Sequence, residues 1–113
     1  MKPTRNPKLV PQYVAVLGKD HLPVGGGCLV AKRRVVTCAH VVEAAMGVAQ
    51  GSVRDAPKAA ITVYFPFADE PFSSDCRVLL WNPVDDSFPR DENEDLALLE
   101  LVSDRADSIQ PIE

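Results

Sequence analysis

The chain predicts an all-β domain, a six-stranded antiparallel β-barrel with one short helical turn. Six short runs of β-forming residues, separated by regular turn signals, carry this reading. The ten prolines in 113 residues also favour loops over long helices, and the length suits one core but not two barrels.

The elements follow in order. Residues 1–11 hold three prolines and read as an N-terminal arm, so the barrel domain is placed at 12–113. The run 12–17 (Gln-Tyr-Val-Ala-Val-Leu) is a strand closed by a turn at 18–21. A second strand, 24–31, contains Gly25, Gly26 and Gly27, which weaken it unless another backbone or a ligand approaches closely. Lys32-Arg33 turns into a third strand, 34–38. Residues 39–46 are too short and apolar for a free helix but suit one packed helical turn ended by Gly47. A loop covers 48–58, and 61–65 is the fourth strand. Pro66 to Asp75 reads as a turn, 77–81 as the fifth strand, 82–94 as a long acidic loop, and 96–102 as the sixth strand.

Charge is unevenly spread. Nine of the twelve Lys/Arg residues but only three of the sixteen Asp/Glu residues lie in 1–58. Lys32, Arg33 and Arg34 have no interleaved aromatics, so the basic front reads as a solvated hairpin tip and no nucleic-acid partner is expected. No apolar run reaches the roughly 18 residues of a membrane span, so no membrane partner is expected either. The N-terminus lacks the apolar core of a secretory signal, and three cysteines (Cys28, Cys38, Cys76) argue against a disulfide framework. A cytoplasmic location is therefore expected. Buried free thiols are favoured, although a Cys28–Cys38 pair is conceivable if adjacent strands bring the two together.

Two residues stand out chemically. Histidine takes and returns a proton near neutral pH, and in nucleophilic catalysis a carboxylate fixes its tautomer. His40 follows an apolar strand, and Asp95 opens another, so both fall at strand ends. The plainer alternatives are a packed histidine bonded to a carbonyl and an aspartate capping a strand start.

The segment Thr37-Cys38-Ala39-His40 is similar to the Thr/Ser-Ala-Ala-His segment around the base of trypsin-like (chymotrypsin-fold) serine peptidases. Asp95-Leu96-Ala97-Leu98-Leu99 resembles their Asp-Ile-Ala-Leu-Leu segment, and Trp81-Asn82-Pro83 resembles the His-Pro that often opens the preceding loop. Gly25-Gly26-Gly27 matches the glycine-rich strand ahead of the histidine. Order and spacing agree across roughly residues 12–110, the extent of the family's first barrel. The resemblance implies that His40 is the general base and Asp95 its orienting partner in peptide-bond hydrolysis, with a protein or peptide as substrate.

The departures from the family pattern carry implications of their own. Secreted members place cysteines where this chain has Gly25 and Val41, so that disulfide cannot form. The His-Val-Val segment resembles instead the intracellular bacterial branches, including the HtrA-like enzymes. No Ile-Val-Gly-Gly activation sequence stands near the start. The Gly-Asp-Ser-Gly-Gly segment, with nucleophile and oxyanion hole, belongs to the family's second barrel and is absent from this chain. Ser52, Ser73, Ser74, Ser87, Ser103 and Ser108 lack a glycine-flanked turn that would expose Oγ beside backbone donors. The chain alone is expected to be inactive.

No metal or other cofactor is expected. Cys28, Cys38 and His40 lack the short paired spacing of zinc ligands, and Asp85, Asp86, Asp91, Glu92 and Glu94 lack the spacing of a calcium loop. Gly25-Gly26-Gly27 has no following Gly-Lys-Ser/Thr and opens no helix, so it is no phosphate cradle. His21 reads as a surface histidine. Two functions compete: the N-terminal half of a serine endopeptidase, completed by a serine-bearing barrel, and a degenerate protease-derived protein-binding module. Ser108 to Ile112 resembles the point where the family's first barrel passes into its interdomain linker. A lone barrel would expose the face between the barrels, so a homo-oligomer through that face is also expected.

Overall fold

The computed structural model describes residues 10–83 and 95–112. Most of the arm, Ser87, and the carboxylates Asp85, Asp86, Asp91, Glu92 and Glu94 lie outside the described residues. Within them the chain forms β1 (Tyr13–Leu17), β2 (Pro23–Ala31), β3 (Arg34–Thr37), α1 (Ala39–Met46), β4 (Ile61–Phe65), β5 (Phe72–Asn82) and β6 (Leu96–Leu101). A 3-10 helical turn, Arg105–Ser108, follows. The strands close into an antiparallel barrel in the order β1-β2-β3-β6-β5-β4. β1 makes the closure, with Val16 opposite Gly25 of β2 on one side and Val63 of β4 on the other.

Alternation of side chains across the strands places the core. Ile61, Val63 and Phe65 of β4 and Ala97, Leu99 and Leu101 of β6 all point inward and are buried. Val14, Val16, Leu29, Val35 and Val42 join them with no exposed surface. Phe65 and Phe72, opposite each other across β4 and β5, stack with centroids 4.6 Å apart. The Arg105 guanidinium covers Phe72 at 4.7 Å from the ring centroid.

Turns follow from local chemistry. His21 and Arg33 adopt left-handed backbone at φ 65° and 59°, which lets each close a tight hairpin. Asp20 steadies the first turn by accepting the Leu22 amide, and the Gly18 amide donates to the Leu22 carbonyl. At the end of α1, Gly47 has φ 76° and its amide bonds back to the Ala44 carbonyl, the left-handed stop expected of glycine.

β5 departs from the sequence reading. It starts at Phe72, so residues 72–75 are strand rather than turn. The Ser73-Ser74-Asp75 run looks like turn chemistry, yet all three pair with β4, and Ser74 points inward beside Phe72 and Cys76. A small polar residue in an inward position hid the alternation. After β6 the chain lies back against the barrel. Here the Ile112 amide donates to the Leu29 carbonyl, and the Gln12 side-chain amide donates to the Gln110 carbonyl.

The basic hairpin tip is engaged by carboxylates of its own chain. Arg33 forms a fork with both oxygens of Asp107 at 3.0 and 2.9 Å, with Lys32 at 3.8 Å. Arg34 and Arg77 share Glu100 at 2.7 and 2.6 Å. Hydrogen bonding from Arg77, with the charges of Arg77 and Arg34, holds Glu100 below the usual carboxylate range. Arg33 does the same to Asp107. Among the described residues, no helix is long and apolar enough to cross a membrane.

Candidate functional site

His40 and Asp95, 55 positions apart in sequence, meet at one end of the barrel. The register explains how. β3 and β6 pair so that Thr37 stands opposite Ala97, which brings the residues just past β3 level with those just before β6. Cys38 then turns into α1 with extended backbone (φ −89°, ψ 146°), and His40 falls in the first turn of the helix.

α1 has no acidic residue in its first turn and no side-chain cap from Cys38. Asp95 takes that place from the position just before β6. Its Oδ1 accepts the His40 backbone amide at 2.9 Å, satisfying one of the donors a helix start leaves free. Its Oδ2 is hydrogen-bonded to Nδ1 of the His40 ring. The two bonds fix both the helix entry and the ring orientation. The His40 side chain is 43% exposed and that of Asp95 22%, so the dyad opens to the surface.

The ring contact has a chemical consequence. Wherever Asp95 is ionised it can only accept, so the shared proton sits on Nδ1, and a neutral ring then offers Nε2 as the acceptor. A histidine so held can take a proton from a hydroxyl brought to Nε2.

Cys38 was not expected to belong to this corner. Its thiol, a ring nitrogen of His40 and a carboxylate oxygen of Asp95 all lie within 4.8 Å of one another. Partial burial, and then the nearby Asp95 charge, push the Cys38 thiol up from its ordinary value. The only sequence signal was its place two residues before His40; its closeness to Asp95 depends on the β3–β6 pairing. Cys28 pairs across the strands with Val36 instead, and all three cysteines are free thiols. Cys76 sits in the core, where burial pushes its thiol up to about 12.

Two further features hold the corner in place. A Cβ on Gly25 would lie 2.6 Å from a methyl of Val41, so the bare glycine lets α1 settle against β2. Gly27 similarly faces the Val36 carbonyl at 2.8 Å from a would-be Cβ. The close approach expected of this glycine run is therefore made by the chain itself. Glu43, also in α1, is 1% exposed and accepts the Gly51 amide at 2.8 Å and the Val53 amide at 3.0 Å. Trp81 of β5 donates its indole N–H to the Val53 carbonyl, so the loop after α1 is pinned from two sides.

Ser52, Ser74 and Ser103 are engaged within their own segments. The Ser74 hydroxyl donates to the Asp75 carbonyl, and Ser103 Oγ accepts the Arg105 amide. Ser52 bonds the Ala49 carbonyl. A cavity of about 520 Å³ is lined by Gln12, Glu70, Phe72, Arg105 and Ile109, and none of the dyad residues lines it. Comparison with known protein families and with curated proteins finds no match to this chain.

Proposed function

We propose that this barrel is the first half of a trypsin-like serine endopeptidase, with His40 as general base and Asp95 as its orienting partner. The doubly hydrogen-bonded His40–Asp95 contact at one end of a closed six-stranded barrel carries this reading. In such an enzyme Nε2 of His40 takes the proton of an attacking serine hydroxyl and returns it to the leaving amine. Asp95 holds the ring tautomer and stabilises the imidazolium between those steps.

A second observation supports it. Gly25 and Val41 occupy the positions where secreted members of the resembled family carry a disulfide, and here they touch. Leu80 and Leu96 stand exposed on β5 and β6 beside the start that carries Asp95, as a face meant to be covered by a second barrel would. The nucleophile and oxyanion donors would come from that second barrel. Intracellular bacterial origin belongs to the same proposal.

The test is the native product. An antibody raised to this chain should capture, from the source cell, either a polypeptide about twice this mass or larger or a complex with a serine-bearing chain. The captured material should hydrolyse peptides. A native product of this size alone, without peptidase activity, would overturn the proposal and favour the protein-binding reading.

A further inference from the structure

Cys38, His40 and Asp95 supply three chemically different donors at one rigid corner. The thiol, the imidazole and the carboxylate all offer a ligand atom within 4.8 Å of the others. Cys38 and His40 are held by the β3–α1 junction, and Asp95 by the first position before β6. We propose that this corner is a binding site for a borderline-soft divalent cation of the zinc class. The proposal goes beyond the peptidase reading and is tested by metal binding rather than by peptidase activity.

The donor set selects the ion. Thiolate and imidazole suit zinc, cobalt and cadmium, whereas calcium and magnesium require all-oxygen shells. Zinc bonds of about 2.0–2.3 Å place neighbouring ligand atoms of a tetrahedral site roughly 3.3–3.7 Å apart. The widest separation here, up to 4.8 Å, exceeds that range, so binding requires the Cys38 and Asp95 side chains to draw in. The His40–Asp95 ring contact opens to admit the ion, while the backbone bond from His40 to Asp95 Oδ1 can persist.

Charge also balances. Binding releases the Cys38 thiol proton to solvent, so a thiolate, a carboxylate and a neutral imidazole meet a dication with no net charge. The two anionic ligands lie near the amino end of α1, which favours negative charge. Three protein ligands leave a fourth position open to water, and the half-exposed His40 ring gives a path for entry. A bound ion would occupy the atoms that the peptidase reading assigns to proton transfer, so the two uses exclude each other.

The test is titration of the untagged 113-residue chain with cobalt(II), followed by displacement with zinc(II). One equivalent should bind with tetrahedral ligand-field absorption and a sulfur-to-cobalt charge-transfer band. Cys38→Ser should remove the charge-transfer band, and His40→Ala or Asp95→Asn should each weaken binding by roughly tenfold or more. Cys28→Ser should change neither. Absence of saturable binding, or a charge-transfer band that survives Cys38→Ser or is lost in Cys28→Ser, would overturn the proposal. Should a variant fail to fold, cadmium bound to the wild-type chain should shift the His40 ring resonances in NMR spectra, and unmoved ring resonances would count equally against it.

Discussion

Asp95 accepts two hydrogen bonds from the same residue, His40: one from its backbone amide and one from its ring. A single carboxylate therefore caps a helix and selects a tautomer. Asp95→Ala should cost about 1 kcal/mol through the lost cap. Asp95→Asn should keep much of the cap but present an N–H donor to Nδ1, moving the ring proton to Nε2. Nitrogen chemical shifts of His40 would report the switch. An unchanged tautomer in Asp95→Asn would show that the carboxylate does not set it.

Among the described residues Glu43 is the acidic side chain that is fully buried, and its two oxygens hold the amides of Gly51 and Val53. Hydrogen bonds to a buried carboxylate are stronger than neutral ones, and truncation also leaves the amides short of partners. Glu43→Ala should lower stability by about 3 kcal/mol in urea denaturation. Glu43→Gln should fall between, since its amide keeps only one acceptor oxygen. A loss within about 0.5 kcal/mol for Glu43→Ala, the range of an ordinary surface substitution, would contradict this role.

The contact between β2 and α1 permits a crosslink. A Cβ on Gly25 would sit 3.3 Å from Val41 Cβ, slightly closer than the usual disulfide spacing of about 3.5–4.5 Å. The double variant Gly25→Cys/Val41→Cys should oxidise, and closing a loop of about 15 residues should add up to about 3 kcal/mol, less any strain. Gly25→Ala alone should destabilise, because its methyl meets Val41 at 2.6 Å. Peptide mapping under oxidising conditions checks the pairing, and a bridge to Cys28 or Cys38 instead would argue against the stated approach.

Glu100 and Asp107 link the hairpin tip to the far end of β6 and the 3-10 turn. Both carboxyls lie below their ordinary values of 4.5 and 3.8, chiefly through hydrogen bonds from Arg77 and Arg33 respectively. A depressed carboxyl stabilises the fold above its unfolded value, and this contribution disappears as pH falls through the folded value. Glu100→Gln and Asp107→Asn should therefore be less stable than wild type at pH 7, with the gap closing as the solution is acidified below about pH 4. A gap that is constant with pH would mean that the ion pairs contribute nothing. With their arginine partners open to solvent, each pair should act weakly and lose effect in high salt.

The barrel was legible because its strands obey simple alternation. Ile61 to Phe65 and Leu96 to Leu101 bury every second residue, and each run is bounded by turn chemistry. β5 was read short because Ser74 stands where an apolar residue would have completed the pattern. His40 and Asp95 could be singled out from residue type and neighbours, but their contact depends on the register of β3 against β6, which no local pattern encodes. Cys38 and Glu43 were missed as members of this corner for the same reason. Glu43 reads as an ordinary helix residue until the loop beyond α1 folds back onto it.

If Asp95 orients His40 as a base for a serine nucleophile, a fluorophosphonate probe should label the native protein. Wild-type product captured with an antibody to this chain should label on a serine in the same polypeptide or in its partner. His40→Ala and Asp95→Asn should each slow that labelling by orders of magnitude, about 10⁴-fold for the loss of the correct tautomer. Labelling at the wild-type rate in both variants, or none in the native protein, would rule out His40 as the base of a serine nucleophile.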